Sequence, residues 1–173
     1  MLIGNLKASA MATDKFELST VLGEFKDRSA SGYAMGLHIS FTTPAYFFQS
    51  YPQAWLEYYS QAGLLMQDPT VSWCFENTGV CRWSDMEDPA GVLTQAADYG
   101  MKYGIVYATN SGGSHSMSGF ARPDREFNED EIAELVERFE AMHLATIDQK
   151  ALSPQTVEQL KKMSIIVTHP GST

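Results

Sequence analysis

The chain has 173 residues, 44% hydrophobic and 19% charged, with 12 Lys+Arg against 21 Asp+Glu for a net charge of −9. That length suits one domain with at most a short appendage, able to bury a core without disulfide or metal support. The negative balance argues against a surface for nucleic acid or an anionic membrane, since both require clustered Lys and Arg; 9 Phe, 8 Tyr and 3 Trp exclude general disorder.

Residues 14–30 set Phe16, Val21, Leu22 and Phe25 near helical spacing between charges, which predicts an amphipathic helix. The small, apolar run 32–39 predicts a strand whose glycines mark the close approach of another group. Residues 45–49 predict a second strand after the Thr42-Thr43-Pro44 turn signal. Pro52 then opens a helix carrying Trp55, Tyr58, Tyr59 and Ala62 at i, i+3, i+4 and i+7. Asp68-Pro69 ends it, and 70–75 starts another helical element. Residues 88–100 form a short helix with an Asp cap, stopped by Gly100. Segments 104–109 and 114–121 alternate with period two around Ser111-Gly112-Gly113, the chemistry of a hairpin.

Asn128 with Glu131 three residues on resembles a capping box. It opens a long helix with Ile132, Leu135, Val136, Phe139 and Met142 in one apolar stripe. Between 121 and 150 nine acidic residues face four basic ones, a local balance of −5 that reads as a solvated outer face. The order α, β, β, α, α, α, β, β, α, with hairpin-like strand pairs, favours an antiparallel sheet with helices packed on it over a doubly wound parallel sheet. No Gly-rich phosphate loop precedes a helix.

No window approaches a membrane span, and the N-terminus lacks the basic region of a signal peptide. Cys74 and Cys81 match no redox or zinc spacing and read as small buried hydrophobes in a reducing cytosol. His38, His115, His143 and His169 are scattered, so neither a metal site nor a cofactor is expected.

Tyr51, Trp55 and Tyr59, spaced by four, share one face if all are helical, and Asp68 follows closely enough to fold back beside them. A carboxylate among Trp and Tyr suits a small polar ligand head: Asp accepts an N–H, Trp and Tyr donate to carbonyls, and the rings exclude water. From about residue 33 to 142 the chain carries Y-P-x-A-W-x-x-x-Y, D-P-T-V, a Trp and G-M-x-x-G-I in this order. In these motifs it resembles the autoinducer-binding domain of LuxR-type quorum-sensing regulators.

The resemblance implies an α-β-α sandwich of PAS/GAF-like type enclosing an N-acyl-homoserine lactone. By the matching positions, Trp55 would bond the lactone carbonyl, Asp68 the amide N–H and Tyr51 the acyl carbonyl. Thr70 would support that cluster, Tyr59 and Trp83 would wall it, and Ser118, favoured over Ser116, would reach the acyl carbonyl from the strand after the hairpin. Met35, Leu37, Tyr46, Phe47 and Val71 are candidates for an acyl tunnel. Ala108 departs from the family's usual proline.

The sensor domain is placed at 14–150. Residues 151–173 form a tail whose opening, 152–160, resembles the first helix of a helix-turn-helix domain and then departs from it. The expectation is a cytoplasmic sensor that homodimerises and does not itself grip DNA; the chain is either a piece cut from a longer regulator or a natural short form, which could also heterodimerise with a full-length LuxR-type regulator and block it. The alternative is a ligand-free interaction module of the same fold. An enzyme is disfavoured, because His115 and its neighbours Ser114 and Ser116 on one strand cannot assemble a nucleophile and its base.

Overall fold

The computed structural model describes residues 17–165. Phe16, the N-terminal stretch, His169 and the end of the tail lie outside the described residues. Six helices and five strands are found among the described residues. They run α1 (Leu18–Arg28), β1 (Gly32–Ser40), β2 (Thr43–Gln49), α2 (Gln53–Gln61), α3 (Pro69–Glu76), β3 (Gly79–Arg82), α4 (Val92–Asp98), β4 (Tyr103–Thr109), β5 (His115–Arg122), α5 (Glu129–Ala145) and α6 (Pro154–Met163).

The strands make one antiparallel sheet in the order β2-β1-β5-β4-β3. Strand β3 is a departure from the sequence-based order, which has no strand between the third helix and residue 88. It is four residues long and pairs only with β4, through Gly79–Ala108 to Arg82–Ile105, and Val80 is exposed. An edge strand this short has no apolar run to announce it.

Alternation along the strands sorts side chains onto two covered faces. Met35 and Leu37 of β1, Phe48 of β2, Ile105 of β4 and Phe120 of β5 pack with Phe25 of α1 and Leu135 and Phe139 of α5. On the other face Val106 and Ala108 of β4 and Ala121 of β5 pack with Trp55, Cys74 and Ala96 from α2, α3 and α4. The result is the expected α-β-α sandwich.

Local chemistry fixes the helix ends. The Asn128 side chain accepts the Glu131 N–H at 2.9 Å, and the Glu131 carboxylate accepts the Asn128 N–H at 2.9 Å. The N-cap of α4 is Gly91 rather than Asp88, whose carboxylate reaches in from three residues earlier to accept the N–H groups of Val92 and Leu93 at 2.8 and 2.9 Å. The acidic face of α5 is tied down in part: Glu134 pairs with Arg28 at 3.1 Å, and Glu140 accepts the Tyr107 hydroxyl at 2.6 Å.

Helix α6 packs onto this same domain. Leu152 and Leu160 join the cluster of Phe25 and Phe48. The Phe47 N–H donates to Ser164 Oγ and the Ile165 N–H to the Phe47 carbonyl, both at 2.8 Å. The packed unit therefore reaches Ile165, past the boundary set at residue 150.

Candidate functional site

The site is built on the face of the sheet covered by α2, α3 and α4. Two positions there carry no side chain. Gly104 of β4 lies under the Trp83 ring so closely that a Cβ would come within 2.2 Å of it, and a Cβ on Gly119 of β5 would come within 2.8 Å of the Tyr51 hydroxyl. Gly104 pairs with Ala121 and Val106 with Gly119, so the two glycines are diagonal neighbours about 7–8 Å apart. The sheet thus offers adjacent bare patches, one under an indole and one under a phenol.

Trp55 is the buried residue of α2, 4% exposed, with its ring 5.6 Å from Tyr59 (edge-on) and 5.5 Å from Tyr99. Tyr51 is not on that helix. Pro52 is the N-cap of α2, and Tyr51 precedes it in a bend that turns its hydroxyl onto β5.

Asp68 is first of all a helix cap. Its Oδ1 accepts the Thr70 N–H at 2.9 Å and the Thr70 hydroxyl at 2.6 Å, with Pro69 at the first helical position. Its Oδ2 accepts the Tyr59 hydroxyl at 2.8 Å. Oδ1 is filled by its two bonds and Oδ2 keeps one lone-pair direction, so the carboxylate is held in place while able to accept another N–H. Burial first, and the Asp68 charge second, push the Tyr51 and Tyr59 phenols well above their usual range. Both therefore stay neutral donors. The same two causes, with Cys81 third, push the Cys74 thiol up to about 12.

Tyr51, Trp55, Tyr59, Asp68, Thr70 and Trp83 thus lie in one layer. Ser118 does not join them. It pairs with Tyr107, which packs edge-on against Phe139 of α5, and the Ser118 hydroxyl donates to the Tyr107 carbonyl at 3.0 Å. The even-numbered residues of β5 face α5, while Met117, Gly119 and Ala121 face the site. Met35, Leu37 and Tyr46 likewise belong to the opposite cluster. The sequence could not reveal this parity, because both faces of the central strands are buried and alternation has no polar side to mark.

A second polar cluster, which the sequence did not announce, lies on that opposite face. His143 is fully buried, with Nδ1 2.6 Å from Ser116 Oγ and Nε2 2.8 Å from the Ser111 carbonyl. The carbonyl can only accept, so Nε2 carries the proton and Nδ1 accepts from Ser116. His38 stacks on it at 4.9 Å between Ser114 Oγ (2.7 Å) and Thr146 Oγ1 (2.8 Å). Burial, and His143 beside it, hold His38 down at about 4. Ser116 and His143 pair like a nucleophile and base, yet both are closed off from solvent, so they form a packing network.

The Asp68 carboxylate is thus held by Tyr59 and Thr70 between the sheet and its helices, in the layer that contains Trp55 and Trp83. Residues 31–149 match the family model of the autoinducer binding domain, and the chain belongs to that family, found in LuxR-type transcription regulators. It is 31% identical over 116 residues to the transcriptional activator protein SolR of Ralstonia solanacearum, across 65% of this chain and 48% of that one. The chain therefore spans about half the length of that relative. Its fold is similar to the N-acylhomoserine lactone-dependent LuxR family factor CepR2 of Burkholderia cenocepacia (TM-score 0.57, 17% identity, 74% of this chain and 80% of that). It is also similar to SdiA in complex with octanoyl-rac-glycerol (TM-score 0.61, 18% identity, 88% of this chain and 70% of that). At these identities the structural likeness speaks for the fold.

Proposed function

We propose that this domain senses an N-acyl-homoserine lactone, whose head group is taken by Trp55, Tyr51 and Asp68. The observation that carries this reading is the convergence of Tyr51, Trp55, Tyr59 and Asp68 in one layer, with Asp68 fixed by Thr70 and Tyr59. The amide N–H needs an acceptor, which Asp68 supplies. The two carbonyls need donors, which the Trp55 indole and the Tyr51 phenol supply. The lactone dependence of CepR2 and the acyl glycerol bound to SdiA support an acylated ligand of this size.

A thermal-shift panel of lactones with C4 to C14 chains tests this, because binding raises stability by mass action. Asp68→Ala and Trp55→Phe should each weaken lactone binding by about 1–3 kcal/mol. Full affinity in both variants would put the head group elsewhere. The second reading, an interaction module without a ligand, draws on Ser118, whose hydroxyl faces away while Gly119 offers none. Stabilisation by no member of the panel would favour it.

A further inference from the structure

In an antiparallel pair, every second residue of an edge strand turns its backbone N–H and C=O away from its neighbour. Among the described residues β2 is such an edge, paired with β1 alone. Phe47 is one of the outward residues: its carbonyl accepts the Ile165 N–H and its N–H donates to Ser164 Oγ, both at 2.8 Å. Ala45 and Gln49, two positions to either side, therefore also present their N–H and C=O to the open side. The inward bonds agree, since the Ser50 N–H donates to the Tyr33 carbonyl at 2.8 Å. An edge with open backbone groups is a template for another strand.

The two ends of this edge differ. Beside Gln49 the sheet and α2 part to form a cleft of about 600 Å³, whose walls include Gln49, Tyr51, Gln53, Leu56, Glu57 and Ile165. Ala45, at the other end, is not part of that wall. Ile165 thus stands in the cleft with its N–H already bonded to Phe47, and the next outward residue ahead of it is Gln49. The sequence that follows suits such a place. Ile166, Val167 and Thr168 are β-branched and uncharged, a composition favoured in strands, and Pro170, with no N–H to donate, ends the run.

We propose that the cleft between β2 and α2 is a docking surface for the chain's own segment 166–168, which adds to the edge of β2 as a short parallel strand. The Ile165 carbonyl takes the Gln49 N–H, and the Val167 N–H donates to the Gln49 carbonyl, continuing the ladder that Phe47 begins. Tyr51 borders the cleft, and its hydroxyl lies on Gly119. The docked segment therefore packs beside the candidate site while making no demand on what that site binds.

Amide hydrogen exchange on the full chain, resolved by residue, tests this. The Gln49 amide should be protected at least about tenfold more than that of Ala45, which has the same outward geometry and no strand beside it. Ile166→Asp combined with Val167→Asp sets two carboxylates against Glu57 and should bring Gln49 to within about twofold of Ala45. Phe120, in the central strand, should be unaffected. Gln49 no better protected than Ala45 in the unmodified chain overturns the proposal, as does protection that survives the double substitution. Protection that fades on dilution means that the strand comes from a second copy, which overturns it too.

Should the substituted chain fail to fold, seen as a loss of protection at Phe120, nuclear Overhauser contacts in the unmodified chain decide. The methyl groups of Ile166 or Val167 should show contacts to Leu56 or Gln49; none from either residue overturns the proposal.

Discussion

Replacing Gly119 by alanine places a methyl group 2.8 Å from the Tyr51 hydroxyl, about 0.6 Å inside ordinary contact. Strand β5 is central and paired on both sides, so the backbone cannot retreat. The phenol must move instead, in a layer already filled by Trp55, Cys74 and Val106. Overpacking of this kind costs about 1–3 kcal/mol. For a domain of this size that corresponds to roughly 2–4 °C in Tm per kcal/mol. The offending atom is a single oxygen, which makes a double-mutant cycle decisive. Tyr51→Phe removes it, so Gly119→Ala should cost less than about 1 kcal/mol in that background. Urea unfolding of the two single variants, the double variant and the parent gives the four free energies. A Gly119→Ala cost that is the same in both backgrounds would show that Tyr51 does not lie on Gly119, and the site geometry would be wrong.

Helix α6 provides a second check, since Leu160→Ala empties a fully buried position and should lower unfolding free energy by about 2–5 kcal/mol. A loss below about 1 kcal/mol would mean that α6 does not belong to the folded unit. His38 gives a pH signature: its folded value near 4 lies below the usual 6.5, so it is neutral when folded and protonates more readily when unfolded. Its contribution is complete above pH 6.5 and is lost as pH falls through about 4. Stability measured between pH 7 and 4 should fall less steeply in His38→Asn. A His38 ring signal that titrates near 6.5 would contradict the burial described here.

Much of the site was legible because it is local. Asp68, Pro69 and Thr70 form a cap from adjacent residues, and Tyr59 reaches it from the preceding helix nine positions back. Trp55 and Tyr59 meet because helical geometry brings i and i+4 together. Tyr51 shares the layer but not through helical spacing, since it lies in a bend before the helix. Ser118 faces away from this layer because a strand's parity depends on its partners. Register with Tyr107 turns it toward α5 and leaves Gly119, which no local signal marks, facing the site.

By itself the sequence determined an acidic α/β domain, the helices and hairpins that build it, and the aromatic and acidic residues available to hold a ligand. These follow from periodicity, caps and turn residues, which act over a few positions of the chain. Only the tertiary structure decided that β3 closes the sheet edge, that α6 shares the core, and that His38 and His143 meet across 105 residues. It also decided which glycines carry Trp83 and Tyr51. Those outcomes depend on strand register and on the packing of two buried faces, where a shift of one residue exchanges every side chain between layers.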